Sequence, residues 1–200
     1  MSATLITLAR RGLPLALLTL SGAAQAHSGH GAHSLSEGLT HPLGADHLLA
    51  MVAVGLWSAA ALPARRAWMG PMAFVLALIA GAALGASGWH LGVDANVLEA
   101  LVATSVVLFG VLLAGARQWP VQAGLSLVTV SALVHGLAHG AELPHGGSFA
   151  AYATGFVLST VALHAGGWRM GRVLSRAQPW AWRLMGGLFS AAGFLMLARI

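Results

Sequence analysis

The chain has 200 residues, of which 58% are hydrophobic and only 8% charged. A soluble domain carries about 25% charged residues, so this balance excludes a soluble globular protein and indicates a polytopic membrane helix bundle. The formal charge of +5 comes from ten arginines with no lysine, and the lack of cysteine excludes disulfides and thiolate metal sites. The arginines are scattered singly and in pairs between apolar runs, which is a topological signal and not a nucleic-acid surface.

Residues 1–26 read as a cleavable signal peptide. Arg10 and Arg11 end a basic region, Gly12 to Leu20 is an apolar core too short to span, and Ala24-Gln25-Ala26 is a small-x-small cleavage site. The mature chain then begins at His27 on the periplasmic side. Residues 27–40 form a polar, flexible periplasmic segment whose His27, His30 and His33 suit the gathering of metal.

The transmembrane domain is 41–200, with six apolar runs at about 43–62, 69–89, 95–115, 121–142, 149–168 and 180–198. Each is near the roughly 20 residues a bilayer requires. Pro63 and Pro120 fall in connections, Pro179 falls at a helix start, and Pro42 and Pro71 fall in first turns, where a missing N–H is tolerated. Arg65, Arg66, Arg117, Arg169, Arg172, Arg176 and Arg183 lie at alternate connections, while 90–94 and 143–148 have no arginine. Arginine marks the cytoplasmic side, so both termini are outside, in agreement with the signal peptide. Most of the seven tryptophans lie near run ends, as an interfacial belt would. Gly81 with Gly85, and Gly136 with Gly140, give two small-xxx-small spacings for close helix packing. Six helices split as three plus three would form inverted halves, although no internal repeat is visible in the sequence.

Ionisable residues at membrane depth are costly and mark function. His41, Asp46 and His47 stand at the outer mouth of the first helix, Glu99 in the first turns of the third, and His135, His139 and Glu142 in the last turns of the fourth. At about 1.5 Å of rise per residue, all lie within roughly 10 Å of the outer surface. His135, His139 and Glu142 follow i, i+4, i+7 and share one helix face. Asp46 and His47 point about 100° apart, so one can ligate while the other orients a neighbour. Imidazole and carboxylate together suit Ni²⁺, Co²⁺ or Zn²⁺ better than Mg²⁺ or Cu⁺. His164 stands near the inner end of the fifth helix, where a lone histidine is more often structural than a ligand, and Met51 reads as core packing.

The stretch His41-Pro42-Leu43-Gly44-Ala45-Asp46-His47, with Glu99 and His135-Gly136-Leu137-Ala138-His139-Gly140-Ala141-Glu142, resembles the HupE/UreJ family. These are membrane proteins associated with hydrogenase and urease gene sets and regarded as nickel or cobalt permeases. His, four residues, then Asp-His also resembles the signature of the wider nickel/cobalt transporter group. The His27–His33 tract and His90 fall outside that pattern. The resemblance implies a multi-pass permease of the bacterial inner membrane for Ni²⁺ or Co²⁺, with no prosthetic group and no enzymatic activity. Its metal ligands would be His41, Asp46, His47, Glu99, His135, His139 and Glu142.

Two other classes are weighed beside it. One is a metal-binding accessory protein, which would bind metal without moving it. The other is a metal-dependent membrane enzyme, against which stands the lack of His-Glu-x-x-His and Gly-x-Ser-x-Gly. No nucleotide-binding motif is present. The partners expected are the metal ion and the lipid bilayer, with a homo-oligomer left open. N-terminal sequencing of the purified protein is expected to start at His27; a chain starting at Met1 would make residues 1–26 an anchor instead.

Overall fold

The structure, a computed structural model, describes residues 34–87, 92–116, 118–141, 149–176 and 179–200. The signal peptide and the His27–His33 tract lie outside them, as do Trp89, His90, Arg117, Glu142 and His145. The described residues form a short helix α1 (Leu35–Thr40) and six long ones: α2 (Ala45–Ala61), α3 (Met69–Ala86), α4 (Ala95–Ala114), α5 (Val121–Ala141), α6 (Phe149–Leu174) and α7 (Pro179–Leu197). Among them, four helices are long and apolar enough to cross a membrane, or five if α1 and α2, bent by 74°, count as one broken span. The chain is thus a multi-pass membrane protein. Leu76, Ile79, Val130, Leu158, Val161 and Phe194 are among the large apolar side chains left facing outward.

Two boundaries differ from the sequence expectation for local physical reasons. Residues 35–40 are helical, not flexible. Ser34 and Glu37 form a capping box, with the Ser34 hydroxyl accepting from Glu37 N–H at 3.2 Å and Ser34 N–H donating to Glu37 Oε2 at 3.0 Å. Second, α6 continues past residue 168 to Leu174, ten residues beyond His164. Nothing between Arg169 and Leu174 breaks a helix, and Arg172 lies over the Trp168 ring one turn back, 5.4 Å from its centroid. Charge ends an apolar run there without ending the helix.

Glycine decides which helices touch. A Cβ on Gly81 would strike the Leu133 carbonyl, and one on Gly136 the Leu78 carbonyl, so α3 and α5 pack backbone to backbone. Gly140 sits against Ala82 in the same seam. The expected small-xxx-small spacings therefore meet each other. Two further seams were not anticipated. Gly55, Gly167 and Gly171 join α2 to α6, and Gly110, Gly186 and Gly193 join α4 to α7, where the Ser190 hydroxyl also donates to Val107 O at 3.1 Å. Close backbone approach replaces the hydrophobic drive that lipid removes.

The register along these seams makes α2·α6 and α3·α5 parallel pairs and α4·α7 antiparallel. The pattern is unchanged when the first three long helices are exchanged with the last three: α2·α6 becomes α5·α3, and α4·α7 becomes itself. The exchange holds for these three seams but not for the looser contacts, since α2 touches α3 and α4 more than α5 touches α6 and α7.

The core between the pairs holds Met51, Val54, Leu56, Trp57, Phe74, Val106, Phe109, Leu113 and Val128. Trp57 and Trp182 are buried there, whereas Trp68, Trp119 and Trp180 are exposed and suit an interfacial belt. Met51 is wholly buried core, as expected.

The seams make a contrast that can be measured. Gly136→Leu forces backbone apart and is expected to cost about 1–3 kcal/mol, read as a lower midpoint of thermal unfolding in detergent. Gly166→Leu, where a Cβ meets nothing within 4 Å, is expected to leave the midpoint unchanged. Equal midpoints for both would remove the role of the seam.

Candidate metal centre

The site begins with the bend between α1 and α2. Residues His41–Leu43 form a 3₁₀ turn containing the buried Pro42, and Gly44 takes an extended conformation (φ −52°, ψ 142°) before α2 starts. Pro42 thus belongs to this turn, not to the first turn of α2. Gly38 of α1 packs on the Tyr152 carbonyl and Gly155 of α6 on the Leu35 carbonyl, so α1 lies flat against α6. That docking swings His41 back over the start of α2.

Asp46 is in the first turn of α2. Its Oδ1 accepts the backbone N–H of His47 at 2.8 Å and the side-chain Nδ1–H of His47 at 2.8 Å. The carboxylate satisfies one of the N–H groups a helix start leaves open, and the positive end of the helix dipole favours its charge. A half-buried carboxylate is tolerable here for those reasons. The same bond fixes His47 with its proton on Nδ1, leaving Nε2 as a lone-pair nitrogen that is buried without a partner.

His135 on α5 repeats the device. The Ser105 hydroxyl donates to Val102 O at 2.6 Å, so its oxygen accepts from His135 Nε2–H at 2.8 Å. His135 is fully buried and its Nδ1, the lone-pair nitrogen, has no partner. Two histidines from different helices therefore each present an unprotonated nitrogen inside the bundle. These tautomers are assigned from the hydrogen-bond pattern.

His41, His47 and His139 come together as a group of three donors whose nitrogens all lie within 4.8 Å of one another. His41 Nε2 and His139 Nδ1 share a hydrogen bond of 3.0 Å. The His47 ring centroid is 4.3 Å from His139, 5.6 Å from His41 and 5.0 Å from His135. Nitrogens around one tetrahedral ion stand about 3.3 Å apart, given a metal–nitrogen bond of about 2.0–2.1 Å. Modest ring rotation brings this trio to that spacing. Phe156 on α6 lies 5.6 Å from the His41 ring and 6.3 Å from the His47 ring, and forms an apolar wall.

Four of the seven residues named from sequence are histidines, and all four lie in this assembly. Asp46 is beside it as the partner of His47. Glu99 shares a face of α4 with the buried Ala103, Val106 and Gly110, is itself exposed near the start of the helix, and is not among the three grouped donors. Glu142 lies outside the described residues. Sequence reasoning missed Ser105, Phe74 and Phe156. For Ser105 the signal was available, as a hydroxyl on the apolar stripe 98, 102, 105, 109.

The chain matches the HupE / UreJ protein family over residues 15–196. The chain belongs to the HupE/UreJ family. A curated relative, Protein HupE of Rhizobium leguminosarum bv. viciae, is 37% identical over 185 residues, covering 92% of this chain and 94% of that one. No solved structure matches the chain. Within this HupE/UreJ chain, His41, Asp46 and His47 sit at the bend before α2, and His135 and His139 occupy successive turns of α5.

The bond from Asp46 predicts a measurable effect. Asp46→Asn keeps the shape but weakens the hold on the His47 proton, and outer partners of this kind are worth about 10- to 100-fold in metal affinity. Equilibrium dialysis with Ni²⁺ on the detergent-purified protein reads it; unchanged affinity would remove Asp46 from the site.

Proposed function

We propose that the protein is a permease of the bacterial inner membrane that takes Ni²⁺ or Co²⁺ from the periplasm and passes it inward as cargo. The observation that carries this reading is the trio of His41, His139 and the buried His47, with His135 one layer beyond it. Neutral imidazoles suit these two ions. The spread of donors over two layers suits passage better than a closed site. A conducting site must bind well enough to admit an ion and weakly enough to release it.

In this reading all six long helices span the bilayer, residues 1–26 are removed, and both termini face the periplasm. The arginine-bearing ends of α2, α3, α6 and α7 then face the cytoplasm, in keeping with positive-inside loops. The histidine assembly opens outward. Inward movement draws on the membrane potential, worth about 2.3 kcal/mol per elementary charge per 100 mV. Membership of the HupE/UreJ family supports the same function. The protein works without a prosthetic group and catalyses no covalent chemistry.

The test is radioactive Ni²⁺ uptake into sealed liposomes containing the purified full-length protein, with an inside-negative potential and with Co²⁺ as competitor. Accumulation that depends on the potential is expected. His47→Ala and His135→Ala are each expected to lower the initial rate at least tenfold while the protein still inserts. Saturable binding without accumulation would replace the permease by a metal-binding accessory protein.

A further inference from the structure

Beyond the outer assembly lies a histidine that neither the trio nor its neighbours absorb. His164 on α6 is 2% exposed. Its Nδ1–H donates to Thr160 O at 2.7 Å, which leaves Nε2 as the lone-pair nitrogen. That nitrogen is buried without a partner, as are the hydroxyls of Thr160, one turn back on the same helix, and of Ser58 on α2. His164 therefore shows the same state as His47 and His135: one nitrogen tied as donor, the other bare in the interior.

Its position continues their series. The Phe74 ring lies 6.0 Å from His135 on one side and 5.1 Å from His164 on the other. Phe156, which walls the outer trio, is eight residues earlier on α6, so His164 lies about 12 Å further along that helix. Because α6 runs on to Leu174, His164 is not at the helix end where the sequence alone put it. Its carbonyl stands against Gly55, near the middle of α2, on the seam of a parallel pair. Leaving a buried acceptor bare has a cost, and native proteins rarely leave one without a partner, water or ion.

The geometry points to a second station for the transported divalent ion at His164 Nε2, on the cytoplasmic side of Phe74. Ni²⁺ or Co²⁺ is held there by one imidazole, with water or a nearby hydroxyl completing its shell. Few protein donors make the station weak, which suits release toward the cytoplasm. This inference rests on the permease reading for its direction, but the binding itself can be read without transport.

Two experiments on the full-length protein separate the cases. In sealed liposomes, His164→Ala and His164→Gln are each expected to lower Ni²⁺ uptake at least tenfold. Equilibrium binding of Ni²⁺ by the outer trio is expected to stay within twofold of the parent. Uptake within twofold of the parent for a well-inserted variant would overturn the station. The second experiment uses ¹⁵N-histidine protein in which His47→Ala and His139→Ala remove the outer site. Co²⁺ is expected to broaden the His164 ring resonance, identified by its loss in His164→Gln. If the parent protein moves no metal, the permease reading falls, and this broadening decides the station alone. An unbroadened His164 ring at saturating Co²⁺ would reduce it to a structural histidine.

Discussion

Bare imidazole nitrogens inside an apolar bundle are the constraint on which the rest of this structure depends. Each buried polar group without a partner costs about 1–3 kcal/mol, and His47, His135 and His164 each carry one. The fold does not relieve the cost; it fixes it in place. Asp46 and Ser105 hold the opposite nitrogens of His47 and His135 as donors, and the Thr160 carbonyl does so for His164. In every case the lone pair is left facing the interior. A divalent ion of the first transition row meets donors that already have the right protonation and little freedom to lose, so less of the binding energy goes into ordering them.

Much of this was legible in the residues. The apolar runs gave the long helices because length and hydropathy are set locally, and the four histidines could be grouped because their depth follows from helix direction. The seams between α2 and α6 and between α4 and α7 could not be read the same way. Gly55, Gly110, Gly167 and Gly186 stand among many glycines, and only the partner's backbone shows which of them touch. Glu99 was assigned by depth alone. Azimuth agrees with that depth, since Ala103 and Val106 on the same face are buried, but its place near the start of α4 leaves Glu99 exposed. The end of α6 was set at the loss of apolarity, whereas backbone continuity decides it, and that moved His164 away from the helix end.

The origin of the donors within the packing has a mechanical consequence. His41 and His47 belong to the unit of α1, α2 and α6, to which Phe156 also belongs. His135, His139 and Phe74 belong to the unit of α3 and α5. Each unit is closed by carbonyl-to-glycine contact and resists internal shear, because a packed seam has few alternative arrangements. The distances from His47 to His139 and from His41 to His139 span the boundary between the units, as does the ring contact between Phe74 and His164. A displacement of one unit against the other therefore changes the outer trio and the approach to His164 together, and breaks no glycine seam. The boundary between the two parallel pairs is where a change in ion coordination and a change in packing are the same event.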